Sequence, residues 1–234
     1  MEISEIKKKL EPKALVSELF NSIDGEGIRT GEIVTFVRLY GCPLRCKFCD
    51  SMYSVCDPEF AKRCKLMTVT ELADLTDKTS ITPKITLTGG EPLMNKRFSL
   101  ELVKEYEKRG YETNIETSGA IPIDDYLLPH VIITMDWKCN CSGETSKMVK
   151  SNLKLLRESD VLKFVVSNEE DMDQMREIIV NEKPKCWLYA SPCFGKIQPS
   201  RIVDYIKNHA SEIGRVRLQL QIHKYVWDPN MRGV

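Results

Sequence analysis

The chain has 234 residues, 42% hydrophobic and 29% charged, which suits one globular domain able to bury its own core. Lys plus Arg and Asp plus Glu both total 34, so net charge gives no reason to expect a nucleic-acid partner. The charged first ten residues lack the apolar core of a secretory signal, and no apolar run nears the roughly 20 residues of a membrane-spanning helix.

A cytoplasmic protein with no membrane association is therefore expected. Its nine cysteines cannot all pair within one chain, and in reducing cytosol they point to metal or redox roles.

In chain order, residues 1–14 read as an N-terminal extension to a single domain spanning 1–234. The polar, glycine-rich segment Ser22-Ile23-Asp24-Gly25-Glu26-Gly27 follows. A strand is expected at 33–40, then a cysteine loop and an insert over 51–67. Thereafter apolar runs at 84–88, 112–116, 131–136, 161–166, 186–190 and 216–222 alternate with amphipathic stretches at 69–78, 96–109, 145–158, 169–181 and 199–213. Most runs are near-continuous, as in parallel strands buried on both faces. Gly110 is placed to end one helix and Pro199 to sit in the first turn of another.

Such alternation implies right-handed βαβ units and a parallel sheet. About six or seven units are too few for an eight-unit barrel. The expectation is an α/β fold, a partial (β/α) TIM-like barrel of about six units with function on loops at the strands' carboxyl ends. No G-x-G-x-x-G follows a strand, which weakens a doubly wound dinucleotide-binding alternative.

Directly after the 33–40 strand and Gly41, Cys42, Cys46 and Cys49 fall within eight residues that include Pro43. Three thiolates on one loop can hold three irons of a cubane cluster and leave the fourth open. Structural zinc prefers four ligands; Cys56 could supply a fourth, giving a zinc or closed-cluster binding module as one alternative. The pairs Cys139/Cys141 and Cys186/Cys193, with Cys56 and Cys64, match no ferredoxin-like spacing and read as ordinary thiols. His130, His209 and His223 read as satisfied polar residues, with His223 the least ordinary because it lies near the chain end.

The pattern C-x3-C-x2-C after a strand, with aromatic Phe48 before the third cysteine, resembles the radical S-adenosylmethionine superfamily. Thr88-Gly89-Gly90-Glu91-Pro92, about 40 residues on, is similar to that superfamily's G-G-E-P segment. Two glycines permit close backbone approach, and Glu91 offers a counter-charge to an ammonium. Within the superfamily, residues 22–31 resemble the opening of 7-carboxy-7-deazaguanine synthases, with Asp24 where Gln is usual. Arg38, the run Cys49-Asp50-Ser51-Met52-Tyr53-Ser54, Glu116-Thr117-Ser118-Gly119, Met135-Asp136-Trp137-Lys138 and the Arg-Gly-Val end fit the same family. The likeness spans 16–234. A glycyl-radical-enzyme activating enzyme is the second alternative.

The resemblance implies a lyase that converts 6-carboxy-5,6,7,8-tetrahydropterin to 7-carboxy-7-deazaguanine and ammonia, in queuosine and other deazapurine synthesis. It implies a [4Fe–4S] cluster, S-adenosylmethionine and Mg2+, a homodimer, and a flavodoxin- or ferredoxin-like reducing electron donor. By position, Cys42, Cys46 and Cys49 would hold the cluster and Ser51 the Mg2+. Phe48, Cys49, Asp50, Gly90, Glu91, Ser118, Asp136, Trp137 and Lys138 would contact S-adenosylmethionine. Ile23, Asp24, Gly25, Arg38, Thr88 and Val234 would contact the pterin. A carboxylate at position 24 changes hydrogen bonding to the pterin, and would either oppose the substrate carboxylate or accept from the ring's guanidine-like edge.

Overall fold

The structure is a computed structural model that describes residues 11–233. A nine-stranded sheet runs in the order β3-β1-β2-β4-β5-β6-β7-β8-β9. Its strands are β1 (Lys13–Ile23), β2 (Ile33–Leu39), β3 (Lys65–Thr68), β4 (Lys84–Gly89), β5 (Glu112–Thr117), β6 (Val131–Trp137), β7 (Val161–Val166), β8 (Trp187–Pro192) and β9 (Arg217–Leu218). From β2 through β9 all neighbours are parallel. Because this order never reverses, right-handed crossovers place the connecting helices on one face and leave the other face concave. The sheet stays open, with β3 and β9 at its edges. This is the expected α/β, partial-barrel architecture.

Between the strands lie α1 (Met52–Cys56), α2 (Pro58–Ala61), α3 (Val69–Thr79), α4 (Lys96–Lys108), α5 (Asn152–Leu155), α6 (Glu169–Glu182), α7 (Pro199–Asn208) and α8 (Ala210–Ile213), and α9 (His223–Val226) follows β9. Helix α3 starts with a reciprocal capping box, Thr68 accepting from Glu71 N–H and the Glu71 side chain from Thr68 N–H. Gly110 follows α4 with φ of +81°, and Pro199 opens α7.

Alternation along the strands separates two environments. Ile85, Leu87, Ile115, Ile133, Met135, Leu162, Phe164 and Val166 face the helices and form the apolar core. Residues of the opposite parity, including Arg38, Thr88, Glu116, Thr134, Asp136 and Lys163, face the concavity. The near-continuous runs thus do not mean two apolar faces, as the sequence suggested; the second face is a buried polar cavity.

Four boundaries differ from expectation. The 1–14 extension ends in β1, which pairs antiparallel with both β2 and β3. The 51–67 insert likewise ends in β3, so the two segments meet at Ala14↔Met67. The 145–158 helix is reduced to a 3-10 turn, Thr145–Lys147, and the single turn α5. There the Asn152 side chain bonds Gly119 O, Ile121 O and Ile123 N, pinning the segment to the β5–β6 connection instead of a long helix. The expected 216–222 strand shortens to β9; Gln219 N–H still donates to Ala190 O of β8, and its side chain brackets Gly27, accepting from Gly27 N–H at 2.8 Å and donating to Gly27 O at 2.9 Å. That bracket ties the last strand to the β1–β2 connection. Among the described residues no helix is long and apolar enough to cross a membrane.

Candidate active site

The concave face holds a cavity of about 650 Å3. At its upper rim, β2 ends and Gly41 opens the cysteine loop. Cys42, Cys46 and Cys49 all line this cavity, with Phe48, Asp50 and Ser51 beside them. Burial pushes the Cys42 thiol up to about 11 and raises Cys46 and Cys49, while the Lys138 ammonium pulls all three the other way. No group of three or more His, Cys, Asp or Glu among the described residues is gathered to hold a single metal ion. A cubane does not require that gathering, since its irons separate the thiolates they bind. Three thiols facing one cavity, with a half-buried ammonium to offset their charge, fit such a cluster.

The loop is seated by its neighbours. Arg45 N–H donates to Glu144 Oε1 at 2.7 Å, and Lys47 N–H to Ser142 O at 3.0 Å. Against its first cysteine lies the Gly89-Gly90 pair. Gly90 N–H donates to Leu39 O and Glu91 N–H to Gly41 O. A Cβ on Gly90 would stand 2.2 Å from Gly41 O and 2.9 Å from Cys42 Cβ. Close backbone approach is therefore what these glycines serve, but the partner is the cysteine loop itself. Glu91 is fully buried and its carboxylate is already used: Leu93 N–H, Thr117 Oγ–H, Ser118 N–H and the Ser118 hydroxyl all donate to it. The expected free counter-charge for an ammonium is instead the brace joining the ends of β4 and β5. Gly90 and Ser118 do line the cavity.

From β6, Asp136 and Lys138 enter the cavity and Trp137 does not. Strand alternation turns Trp137 outward, where it is 3% exposed and lines a separate cleft with Met148, Leu153 and Gln174. Asp136 Oδ2 takes Lys138 at 3.0 Å and Lys163 at 3.3 Å, and Lys163 also reaches Glu26 Oε2 at 2.8 Å. Burial would lower both ammoniums, but these carboxylates outweigh it and both are raised; Asp136 is lowered despite its own burial.

The remaining expected residues come mostly from β1, β2, β4 and the segments that join them. Ile23, Gly25, Arg38 and Thr88 line it. Arg38 is clamped by Glu18, whose Oε2 accepts from Arg38 Nε at 2.7 Å and Tyr53 Oη at 2.9 Å. Gly25 leaves room for His223: a Cβ there would meet the ring Nδ1 at 2.5 Å. Burial lowers the His223 imidazole below its usual range. Asp24 sits just behind the wall, fully buried, accepting from Thr86 Oγ1 at 2.9 Å. Burial raises it to about 6, against the pull of Thr86 and Arg29. Beside Ser51, burial would raise Asp50, but Lys224 at 3.1 Å and the Ser51 hydroxyl hold it low. Residues 229–233 cross the mouth, with Arg232 4.0 Å above the Tyr53 ring. Val234 lies outside the described residues.

Reading the sequence missed Glu18, Glu26, Glu116, Lys163 and Lys224. Lys163 carried a signal, being a lone charge inside the apolar run Val161–Val166. Glu116 stood in a quoted motif without a role. Glu18 had none, because β1 itself was not foreseen.

A family model described as a 4Fe-4S single cluster domain matches residues 23–127. The 7-carboxy-7-deazaguanine synthase of Clostridium acetobutylicum is 38% identical over 226 residues, covering 94% of this chain and 98% of its own. That of Methanospirillum hungatei is 34% identical over 216 residues, covering 92% and 86%. In fold, the chain is similar to the crystal structure of QueE from Escherichia coli, with a TM-score of 0.73 at 21% identity over 89% of this chain and 93% of that one.

Proposed function

The chain belongs to the 7-carboxy-7-deazaguanine synthase family, and from that membership we propose that it converts 6-carboxy-5,6,7,8-tetrahydropterin to 7-carboxy-7-deazaguanine and ammonia. It is a radical S-adenosylmethionine lyase whose cofactors are a [4Fe–4S] cluster and S-adenosylmethionine. One observation carries the substrate reading: the cysteine loop and the clamped guanidinium of Arg38 open into the same cavity.

When bound, the cluster and S-adenosylmethionine supply the radical that removes hydrogen from the substrate. The chain's own residues bind and orient. Cys42, Cys46 and Cys49 hold the cluster, and Lys138 offsets its charge. Gly90, Ser118, Asp136 and Lys138, with Phe48 and Asp50, form the wall for S-adenosylmethionine, while Glu91 fixes that wall from behind. Arg38 pairs with the pterin carboxylate, since a guanidinium suits a planar anion and Glu18 sets its angle. Ile23, Gly25 and Thr88 hold the ring, and the chain end with Val234 closes over it. Ser51, beside Asp50, offers the hard oxygen that Mg2+ prefers. The whole chain acts as one domain, works as a homodimer in the cytoplasm, takes electrons from a flavodoxin- or ferredoxin-like protein, and feeds queuosine or another deazapurine route.

Anaerobic reconstitution with iron and sulfide, followed by assay with the carboxytetrahydropterin, tests the reading. The expected result is an ultraviolet-absorbing deazaguanine and one ammonia per turnover. A fully reconstituted protein that cleaves S-adenosylmethionine yet leaves the pterin unchanged refutes it.

A further inference from the structure

Four carboxyl groups face or adjoin the interior of the half-barrel: Asp24, Glu26, Glu116 and Asp136. Two ammoniums answer them. Lys163 is shared between Glu26 and Asp136, and Lys138 goes to Asp136. Arg29 donates to Ile85 O and pairs with Glu112, so it reaches Asp24 by its charge alone, without an ion pair. Among the described residues, Asp24 and Glu116 therefore carry no ion pair, although Asp24 is fully buried. The two are near neighbours. Asp24 is bonded to Thr86, Thr86 pairs with Asn114, and Glu116 lies two residues further along the same face of β5. Asp24 Oδ1 has no hydrogen-bond partner, and the Thr88 hydroxyl stands against Glu116. Two neighbouring carboxyl groups, neither of them held in an ion pair, disfavour both being ionised at small separation.

We propose that Asp24 and Glu116 hold one proton between them, with Glu116 the protonated, cavity-facing partner that donates to an acceptor on the bound pterin ring. The proposal rests on the pterin reading above. The aminopyrimidinone edge of a pterin carries a carbonyl oxygen beside its N–H groups, and a carboxylic acid complements that oxygen as a carboxylate cannot. Asp24 acts through Glu116 as a positioning residue: its charge keeps the proton in place, where an amide at this position would donate to Glu116 and leave it ionised.

The groups facing the pair agree. Burial is the main cause raising Glu116 to about 7, the Asp24 charge adds to it, and Glu26 adds further; Lys163 and Thr88 oppose. For Asp24, burial dominates, with Thr86, the Glu26 N–H and Arg29 opposing and the Glu26 carboxylate adding. Binding should therefore weaken as pH rises past neutrality.

Two measurements on the full chain decide the matter. The first is infrared difference spectroscopy of ligand-free protein with carboxyl-labelled glutamate at neutral pH. A label-sensitive carboxylic-acid band, lost in Glu116→Gln and shifted to lower pH in Asp24→Asn, is expected; its absence in the wild type overturns the proposal. The second is the affinity for 6-carboxypterin, followed by its fluorescence between pH 6 and pH 9. The wild type should lose about tenfold per unit above the midpoint. Glu116→Gln should bind with a flat profile, and Asp24→Asn should shift the midpoint down by about one unit. Loss of binding in Glu116→Gln at every pH, with an unmoved Asp24→Asn midpoint, also overturns it. If the wild type has the acid band but binds no pterin, the substrate reading fails, and the assigned acceptor with it, while the shared proton stands.

Discussion

Replacing Glu91 with Gln tests whether this carboxylate braces the loop or serves the cofactor directly. Its oxygens accept from two backbone N–H groups, those of Leu93 at 3.1 Å and Ser118 at 2.8 Å, and from the hydroxyls of Thr117 and Ser118. An amide must turn its NH2 toward one of the two N–H groups, because each carboxylate oxygen faces one. The hydroxyls can rotate to accept; a backbone N–H cannot. The variant thus loses one charge-assisted bond worth about 1.5–3 kcal/mol and leaves a buried donor unpaired, while relief from burying a charge returns part of the cost. A net loss of about 2–4 kcal/mol is expected. In urea that lowers the midpoint by ~1 M at a typical slope for a chain of this size. The assay is equilibrium unfolding of cluster-free protein, with S-adenosylmethionine affinity measured on the reconstituted form. An unchanged midpoint together with weakened cofactor binding would refute the brace and restore a direct contact.

Four further outcomes follow from the same geometry. Gly90→Ala should fold but take up less iron and sulfide, because its Cβ would press on Gly41 O and Cys42; iron per chain after reconstitution reads this. Trp137→Phe should leave S-adenosylmethionine affinity unchanged and cost about 1–2 kcal/mol in unfolding, since the side chain packs in the outer cleft. Glu18→Gln should raise KM for the pterin several-fold with little change in kcat, as Arg38 loses its charged clamp. The stability contributed by Asp24 and Glu116 should fall as pH rises from about 4 to about 7. Asp24 moves from 3.8 to about 6 and Glu116 from 4.5 to about 7 on folding, so the folded chain binds more protons across that window. Glu116→Gln should flatten the fall in a thermal-shift series.

What the sequence revealed and what it hid divide along a physical line. Cys42, Cys46 and Cys49 were legible because a cluster needs a fixed ligand type on one short loop, and such chemistry writes itself locally. The parallel strands were legible for a related reason: apolar runs between amphipathic stretches have few other uses. The inner face was not. Glu116, Asp136 and Lys163 come from three strands, and their pairing exists only once register sets Asp136 beside Lys163. A charged residue in a strand reads equally as a solvent-facing position until curvature decides which side is enclosed. Trp137 shows the opposite error. The motif suggested a contact from Trp137 to S-adenosylmethionine, yet Asp136 and Lys138 already occupy the inward parity, so position 137 must point out. Asp24 belongs to the same class. Alone it departs from the amide of the motif it resembles; on the proposal above, its meaning comes from Glu116, reached through Thr86 and the β4–β5 register. Single-residue departures at such sites are best read as changes to a shared charge state, and a pH profile, more than a turnover number, will show them.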